Sequence, residues 1–145
     1  MNISNIKKDL SAIVLCGGKG KRLYPLTKKI PKPLIKIKNK EILSYILDHL
    51  FSYKIKDVIL ATGYKNKSFK SFHTKSKNRS KIKILDTGEN DDIIKRILKC
   101  EEICKKYILI CYGDTLVDLN IDKLIGFFNK NDKKITISSY NLKSQ

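Results

Sequence analysis

The chain has 145 residues, 41% of them hydrophobic and 31% charged, so it has the size of one domain and enough apolar side chains to form a core. This composition excludes wholesale disorder. No apolar run approaches the roughly 18 residues needed to span a bilayer, which predicts no membrane association. Lysine and arginine total 31 against 14 aspartate and glutamate residues, and the net charge of +17 predicts anionic partners.

The chain begins with a polar stretch that leads into an apolar strand. Residues 1–10 lack an apolar segment of signal-peptide length, so we expect a loosely ordered leader on a chain that is not exported. The run Ala12–Cys16 is continuously apolar and ends at two glycines, which is typical of a strand covered on both faces. A loop rich in glycine and proline follows to about Pro33, and Leu34–Ile37 is predicted as a short edge strand.

The middle of the chain alternates helix and strand. Apolar residues at helical spacing predict a helix over Glu41–Tyr53, and the apolar run Asp57–Thr62 predicts a second buried strand. The stretch Tyr64–Lys83 is rich in lysine, and it is either a solvated loop or a segment that follows a nucleic-acid backbone; we favour the loop. Ile82–Leu85 is predicted as a third strand that ends at a turn.

The last third of the chain repeats the alternation. Asn90 or Asp91 is expected to cap a helix. The apolar face of this helix is predicted to consist of Ile93, Ile94, Ile97, Leu98 and Cys104. Tyr107–Tyr112 is predicted as a fourth buried strand, Asn120–Phe128 as a helix with Asn120 as its cap, and Lys134–Tyr140 as a fifth strand because of its β-branched residues.

Buried strands that alternate with amphipathic helices predict an α/β fold: a Rossmann-like, doubly wound and mainly parallel sheet with helices on both faces. Ligands of such sheets bind beyond the carboxyl ends of the strands. Three polar features follow predicted strands, namely Gly17–Gly20, the pair Thr87 and Gly88, and the pair Gly113 and Asp114. The sequence therefore predicts a ligand site at this edge of the sheet.

The four cysteines predict reduced thiols and a cytoplasmic location. Cys16, Cys100, Cys104 and Cys111 lack CxxC spacing and fall within predicted strands or a helix, so we interpret them as small hydrophobic residues. A zinc site is set aside because neither histidine is near Cys100 and Cys104 in the sequence.

The excess of positive charge is spread along the chain, with 28 lysines against three arginines. Proteins that read nucleic acids rely on arginine forks and interleaved aromatic residues. A lysine-rich composition explains the charge at least as well, and a basic nucleic-acid-binding protein is the less favoured alternative.

The segment Gly17–Leu34, GGKGKRLYPLTKKIPKPL, carries the most chemical information. Its first glycines let the backbone approach a phosphate closely and turn amide groups toward it. Positive charge is supplied by Lys19, Lys21, Arg22 and Lys32. The segment is neither a P-loop nor a GxGxxG turn. From these residues alone it is either a polyphosphate-binding loop or a tight strand-to-helix turn.

This segment resembles the signature GGxGTRLxPLTxxxPKPL of the sugar-nucleotidyltransferase (nucleoside-diphosphate-sugar pyrophosphorylase) family. The downstream stretches ILDTGENDDIIKRI and YILICYGDT are most similar to the glucose-1-phosphate cytidylyltransferase branch. The likeness runs from about Ser11 to Tyr140, so we expect residues 1–145 to be the nucleotide-binding, amino-terminal part of such a domain. Two departures stand out: Lys21 replaces the threonine of GTR, and Asp91–Ile94 replace a glycine pair of the cytidylyltransferase branch.

The resemblance implies that a phosphorylated small molecule, such as a sugar 1-phosphate, attacks a nucleoside triphosphate with Mg²⁺ present. CTP is the nucleotide that we expect. In this reading Arg22 holds the β- and γ-phosphates, Lys32 lies between the attacking and α-phosphates, and Asp114 binds Mg²⁺. The remaining expected nucleotide-binding residues are Leu15, Cys16, Gly17, Gly18, Lys19, Gly20, Thr87, Gly88, Arg96 and Gly113.

Three alternatives stay open beside this enzyme. The chain could bind a nucleotide without turnover, as either a fragment or a natural short form. It could be a cytidylyltransferase that acts on phosphoglutamine or phosphocholine instead of a sugar phosphate. It could also be the basic nucleic-acid-binding protein considered above. A homo-oligomer is compatible with each of these alternatives.

Overall fold

The computed structural model describes residues 2–131 and 134–139. The helices in this part of the chain are α1 (Ile3–Lys8), α2 (Ile42–Ser52), α3 (Asn66–Lys75), α4 (Ile93–Glu101) and α5 (Ile121–Lys130). The strands are β1 (Leu10–Leu15), β2 (Lys36–Ile37), β3 (Lys40–Glu41), β4 (Val58–Thr62), β5 (Ile82–Asp86) and β6 (Tyr107–Tyr112). Single 3₁₀ turns lie at Lys21–Leu23, Leu26–Lys28, Lys32–Leu34 and Arg79–Lys81.

Four strands form one parallel sheet in the order β5-β4-β1-β6. The central strand β1 pairs with both neighbours, so that Ala12 lies opposite Val58 on one side and Leu109 on the other. One face is covered by α1, α2, α3 and α5, whose buried residues include Ile6, Leu43, Phe69 and Ile121. The other face packs against α4 through Cys100. The predicted Rossmann-like α/β fold with helices on both faces is confirmed.

The strands differ in burial according to their place in the sheet. All residues of β4 are buried because β4 has a strand on each side and helices on both faces. At the sheet edge, β6 instead alternates, and its exposed side chains are Ile108, Ile110 and Tyr112. The prediction of a fourth buried strand is therefore correct for the strand and wrong for its burial. The fifth strand predicted over Lys134–Tyr140 is absent from residues 134–139, where Ile135 and Ile137 are exposed; Tyr140 lies outside the described residues.

Two segments are more ordered than the sequence suggests. Ile3–Lys8 form α1, capped by Asn2, where a loosely ordered leader was expected; Ile6 is buried and Lys7 forms an ion pair with Asp122 of α5. The stretch Tyr64–Lys83, predicted as a loop, contains α3. This helix is polar except for two phenylalanines: Phe69 is fully buried and anchors it to the sheet, and Phe72 is partly buried and packs against the same core.

Helix α4 begins one residue later and buries a different face than predicted. Its cap is Asp92, whose side chain accepts a hydrogen bond from the Lys95 amide at 2.8 Å, so neither Asn90 nor Asp91 is the cap. The side facing the sheet carries Arg96 and Cys100, while three predicted core residues are exposed. Those exposed residues are Ile93, Ile94 and Leu98. Ile97 does pack against the sheet, as predicted. Cys104 packs there too, but it lies beyond the end of α4 at Glu101 and not on the helix.

Apart from one short strand, the remaining predicted elements agree with the structure. The helix predicted over Glu41–Tyr53 is α2, and Asn120 caps α5. The strand predicted over Leu34–Ile37 is shortened to β2, which pairs antiparallel with β3 in a separate two-stranded sheet and does not lie at the edge of the main sheet. Within the described residues, every helix is too short or too polar to cross a bilayer. The four cysteines are unpaired, and burial raises the pKa of Cys100 and of Cys111 to about 11, so both thiols are protonated near neutral pH.

A buried carboxylate, Asp57, connects β1, β4 and β5 near their amino ends. Ser11 donates a hydrogen bond to Asp57 at 2.5 Å, and Lys83 forms an ion pair with the same carboxylate at 2.8 Å. Burial acts to raise the pKa of Asp57, but the hydrogen bonds from Lys83 and Ser11 and the charge of Lys83 outweigh it, and the pKa is lowered. The folded state therefore favours the ionised carboxylate.

Replacing this carboxylate should destabilise the fold in a pH-dependent way. Because the folded-state pKa is depressed, the stabilisation is present above the unfolded pKa of about 3.9 and is lost as the pH falls through the folded value. We expect Asp57→Asn to lower the free energy of unfolding by about 1–3 kcal/mol at pH 7, with the gap to wild type closing toward pH 3. Urea unfolding between pH 3 and 7 measures this gap, and exposed Asp48→Asn is the control; a gap independent of pH contradicts the prediction.

Candidate functional site

The carboxyl ends of β1, β5 and β6 open onto a cavity of about 460 Å³. Because these strands are parallel, the loops after them meet at one edge of the sheet. Most of the lining comes from the glycine-rich loop after β1, the loop between β5 and α4, and the turn after β6. The lining residues that the sequence predicted are Leu15, Cys16, Gly17, Gly18, Lys19, Gly20, Lys32, Arg96 and Asp114.

The glycine-rich loop is fixed at both ends by hydrogen bonds. Gly20 has a φ of 62°, in the left-handed region that favours glycine, and its carbonyl accepts a bond from the Thr27 hydroxyl at 2.9 Å. At the other end the Gly17 carbonyl accepts from the Tyr64 amide at 3.2 Å. The Tyr64 hydroxyl in turn donates to the Thr27 carbonyl at 3.1 Å. Thr27 and Tyr64 thus support the loop, and the sequence analysis missed both, although Thr27 lies within the PLT motif.

Lys32 and Asp114 face each other across the cavity and form an ion pair at 2.7 Å. Lys32 lies on the 3₁₀ turn Lys32–Leu34 between two buried prolines, Pro31 and Pro33, which anchor the turn. Asp114 lies two residues beyond the end of β6. Both side chains are about one-third exposed. A cation and a carboxylate in contact, both open to the cavity, can each be redirected to a bound ligand.

A second ion pair crosses the cavity near the tip of the glycine-rich loop. Lys19 reaches the segment before α4, with its ammonium 3.2 Å from Glu89 and 3.3 Å from the side-chain oxygen of Asn90. Glu89 and Asn90 were not predicted as site residues, and no local pattern distinguishes them in the sequence. Next to them Asp91 accepts a hydrogen bond from Lys99, which keeps the pKa of Asp91 below its usual value.

Arg96 lines the cavity but bonds to the protein itself. Its side chain is buried, and its two terminal nitrogens donate four hydrogen bonds. The acceptors are the carbonyls of Thr62, Gly17 and Glu89 and the hydroxyl of Thr87. Direct contact between Arg96 and a nucleotide stays a prediction.

Four other predicted site residues lie outside the cavity lining. Arg22 is exposed on the 3₁₀ turn Lys21–Leu23 and does not line the cavity that holds the pair of Lys32 and Asp114. Thr87 is buried behind the cavity and donates to the Thr62 carbonyl at 2.7 Å, and Gly88 has a φ of 100°. Gly113 packs under the loop, with its amide donating to the Leu15 carbonyl at 2.9 Å. Their roles toward a ligand stay predictions.

Asp114 is the carboxylate that fits a magnesium ion. In the described part of the chain no cluster of three or more potential ligand side chains occurs. Mg²⁺ typically takes only one or two protein carboxylates and completes its shell with phosphate oxygens and water, so one cavity-facing carboxylate is sufficient. The neighbouring Cys16 is not a competing soft ligand, since burial, Asp114 and Cys111 all raise the pKa of its thiol.

Comparison with known proteins gives one family. The family model described as nucleotidyl transferase matches residues 11–145. The D-glycero-alpha-D-manno-heptose 1-phosphate guanylyltransferase of Campylobacter jejuni is 36% identical, over 89% of this chain and 57% of its own length. The glucose-1-phosphate cytidylyltransferase of Salmonella typhimurium is 29% identical, over 90% of this chain and 60% of its own length.

A solved structure agrees with these matches. The crystal structure of HddC from Yersinia pseudotuberculosis complexed with GMP-PN superposes with a TM-score of 0.71 and 25% identity, covering 81% of this chain and 53% of that one. The chain spans 28% to 62% of the length of the first curated relatives that it matches.

The close packing under the glycine-rich loop predicts an effect of adding one methyl group. A Cβ atom at Gly113 would lie 2.6 Å from the Cys16 sulfur and 2.8 Å from the Leu15 carbonyl oxygen. We therefore expect Gly113→Ala to force β1 and β6 apart at their ends and to lower the free energy of unfolding by about 1–3 kcal/mol. Gly18→Ala is the matched control because its Cβ would meet nothing within 4 Å. Thermal unfolding compares the two, and equal stability of both variants contradicts the prediction.

Proposed function

The chain belongs to the nucleotidyl transferase family, and from that premise we propose that it takes part in transfer of a nucleotidyl group to a phosphorylated small molecule. The phosphate of a sugar 1-phosphate attacks the α-phosphorus of a nucleoside triphosphate, and the bond to pyrophosphate breaks. The observation that carries this proposal is the ion pair of Lys32 and Asp114 facing a cavity beside a glycine-rich loop.

The reaction brings two anions together, so the site must cancel negative charge at three places. These are the attacking phosphate, the α-phosphoryl group and the leaving pyrophosphate. Lys32 lies in the cavity on an anchored turn, where its ammonium would neutralise the attacking and α-phosphates. Amide groups of the Gly17–Gly20 loop would bind phosphate oxygens. Lys19 at the loop and Arg22 on the following turn would add charge toward the β- and γ-phosphates.

Ligand binding must break the contact between Lys32 and Asp114. We propose an exchange of partners, in which Lys32 turns to a phosphate and the carboxylate of Asp114 turns to a divalent cation. Because both side chains are partly exposed, the free energy needed to separate them is modest, about 0–1 kcal/mol. The pair therefore keeps both groups ordered in the cavity without holding them back from the ligand.

Asp114 would hold Mg²⁺ together with phosphate oxygens. When bound there, the ion would supply charge neutralisation on the triphosphate. Three other acidic side chains line the cavity and are also paired: Glu89 contacts Lys19, Asp91 contacts Lys99, and Asp92 caps α4. Asp114 differs from them because its partner is Lys32, the cation proposed to meet the reacting phosphates.

We propose CTP as the nucleotide, because the DTG element and the YGD element are most similar to the cytidylyltransferase branch. GTP is the second candidate. It is favoured by the guanylyltransferase relative at 36% identity and by the superposition on a structure that holds GMP-PN. Both bases carry exocyclic amino groups that a carboxylate or a carbonyl can accept from, and the cavity rim offers both kinds of acceptor.

Removing the Lys32 ammonium should strongly reduce the transfer. In an assay of pyrophosphate release from nucleoside triphosphate and sugar 1-phosphate, we expect Lys32→Ala to lower the rate by about 10²-fold or more. Lys36→Ala is the matched control: it removes the same charge from a lysine whose side chain is 62% exposed, and it should behave like wild type. A Lys32→Ala variant that keeps its rate would exclude the proposed role.

The metal and nucleotide assignments are tested together with a panel of CTP, GTP, UTP, dTTP and ATP against phosphorylated acceptors. We expect pyrophosphate release with CTP, dependent on Mg²⁺, abolished by EDTA and nearly abolished by Asp114→Asn, with Asp48→Asn as the control.

Release with GTP alone would replace CTP by the second candidate. Nucleotide binding without release with any acceptor would indicate a binding protein without turnover. Salt-sensitive retention of oligonucleotides that Asp114→Asn leaves unchanged would contradict the proposal.

A further inference from the structure

Arg96 places a full positive charge under the glycine-rich loop without a carboxylate in contact. It is 5% exposed, and none of the ion pairs between described residues includes it. Its hydrogen bonds go to carbonyl oxygens and one hydroxyl. Burying a charge among neutral acceptors is costly unless the acceptors are well placed. An apolar residue at this position of α4 would pack against the sheet with a lower desolvation cost.

The guanidinium connects the ends of three neighbouring strands. One terminal nitrogen donates to the Thr62 carbonyl, the last residue of β4, at 3.1 Å and to the Thr87 hydroxyl after β5 at 2.6 Å. The other donates to the Gly17 carbonyl after β1 at 3.3 Å and to the Glu89 carbonyl at 3.4 Å. A planar group with fixed donor directions thereby sets the spacing between these loops.

Two glycines leave the space that the Arg96 side chain occupies. A Cβ atom at Gly17 would lie 2.0 Å from one terminal nitrogen of Arg96, and its three nearest neighbours would all be Arg96 atoms. A Cβ at Gly63 would lie 2.6 Å from the same nitrogen, but 2.4 Å from the Gly88 carbonyl oxygen. Gly17 is therefore glycine because of Arg96, whereas Gly63 is glycine because of a backbone contact as well.

We propose that Arg96 is a positioning residue for the triphosphate: it acts through the Gly17 carbonyl to fix the start of the Gly17–Gly20 loop, and does not bind the nucleotide itself. This inference rests on the proposed function of the cavity. The Tyr64 amide also donates to the Gly17 carbonyl, but among the described residues only Arg96 ties that carbonyl to the loop after β5, which forms the opposite wall of the cavity. Arg96 thus sets the width of the cavity at the base of the two loops, whereas the contacts of Lys19 cross it near the tip.

The first experiment measures backbone amide exchange and ligand affinity in the same variants. Arg96→Met removes the guanidinium and its charge, and Arg96→Lys keeps the charge without the planar guanidinium. Lys95→Met is the matched control, because it removes an exposed charge from the adjacent position of α4. The Tyr64 amide donates to the Gly17 carbonyl and the Thr87 amide to the Thr62 carbonyl, and Arg96 contacts both carbonyls. We expect hydrogen exchange of these two amides to accelerate about tenfold or more in both Arg96 variants, with β1 unchanged. Affinities for Mg²⁺ with CTP, with GTP and with tripolyphosphate should fall about tenfold, while Lys95→Met behaves like wild type.

The outcomes separate this inference from the proposed function. If the Arg96 variants bind weakly but exchange of the Tyr64 and Thr87 amides is unchanged, Arg96 contacts the ligand directly and the inference is overturned. It is equally overturned if exchange accelerates while affinity stays at the wild-type value. If the wild-type chain binds none of the three ligands, the proposed function fails, and the claim that Arg96 acts for a triphosphate falls with it. Should Arg96→Met not fold, Arg96→Lys provides the same comparison.

A double-mutant cycle tests the structural step alone, without any ligand. In the wild-type background Gly17→Ala and Gly63→Ala should both lower the melting temperature. In an Arg96→Ala background there is room for a methyl group at residue 17, so the further drop caused by Gly17→Ala should largely disappear. The drop caused by Gly63→Ala should persist, because the Gly88 carbonyl remains in place. Equal effects of Gly17→Ala in both backgrounds would show that Arg96 does not hold the loop start.

Discussion

The shared direction of the four sheet strands is the constraint on which the site depends. Because β1, β4, β5 and β6 are parallel, every loop that leaves a strand end emerges at the same edge, although the strands are distant in the chain. A glycine-rich turn, the segment that follows a DTG turn, and the aspartate of a GD turn, each unremarkable alone, are thereby brought around one cavity. The crossover helices that parallel strands require also supply α4, whose buried guanidinium then connects three of those strand ends.

Local charge separates the cavity from the rest of a strongly basic surface. With a net charge of +17, positive potential is general and does not mark a site. What distinguishes the cavity is that two ion pairs, Lys19 with Glu89 and Lys32 with Asp114, line the same space. Partners of this kind restrict long side chains that would otherwise move freely in solvent, so the cations are already near their working positions before a ligand arrives.

Strands and helices are predicted correctly from the sequence where the local pattern of apolar residues reflects their burial. The prediction fails where burial depends on elements that are distant in the chain. The central strands β1 and β4 are continuous apolar runs because both faces and both edges are covered, and that pattern is visible in the sequence. The exposure of one face of β6, and the lack of a strand over residues 134–139, depend on what lies beside them in the sheet. Helix α3 escaped prediction because two phenylalanines, the buried Phe69 and the partly buried Phe72, are sufficient to anchor a segment that is otherwise polar.

The same distinction holds in the site. The motif Gly17–Leu34 predicted which loop meets the cavity, and Lys32 and Asp114 are in contact there. The interpretation of α4 from its apolar spacing placed Ile94 and Leu98 in the core, whereas the helix turns Arg96 inward. No single-sequence pattern indicates a buried arginine that bonds to backbone carbonyls, because its acceptors come from three loops. Thr27 and Tyr64, which support the glycine-rich loop, were missed for a similar reason.

The uncovered side of β6 has a consequence for how copies of this chain behave together in solution. Ile108, Ile110 and Tyr112 form an apolar row on a strand that is at the edge of the sheet in the described residues, and such rows promote edge-to-edge association. Mutual repulsion between molecules of charge +17 opposes that association. Salt shortens the range of this repulsion to about 3 Å at 1 M and leaves the apolar attraction in place. Colloidal stability therefore decreases as ionic strength rises, and dilute buffer is the condition in which the chain stays dispersed.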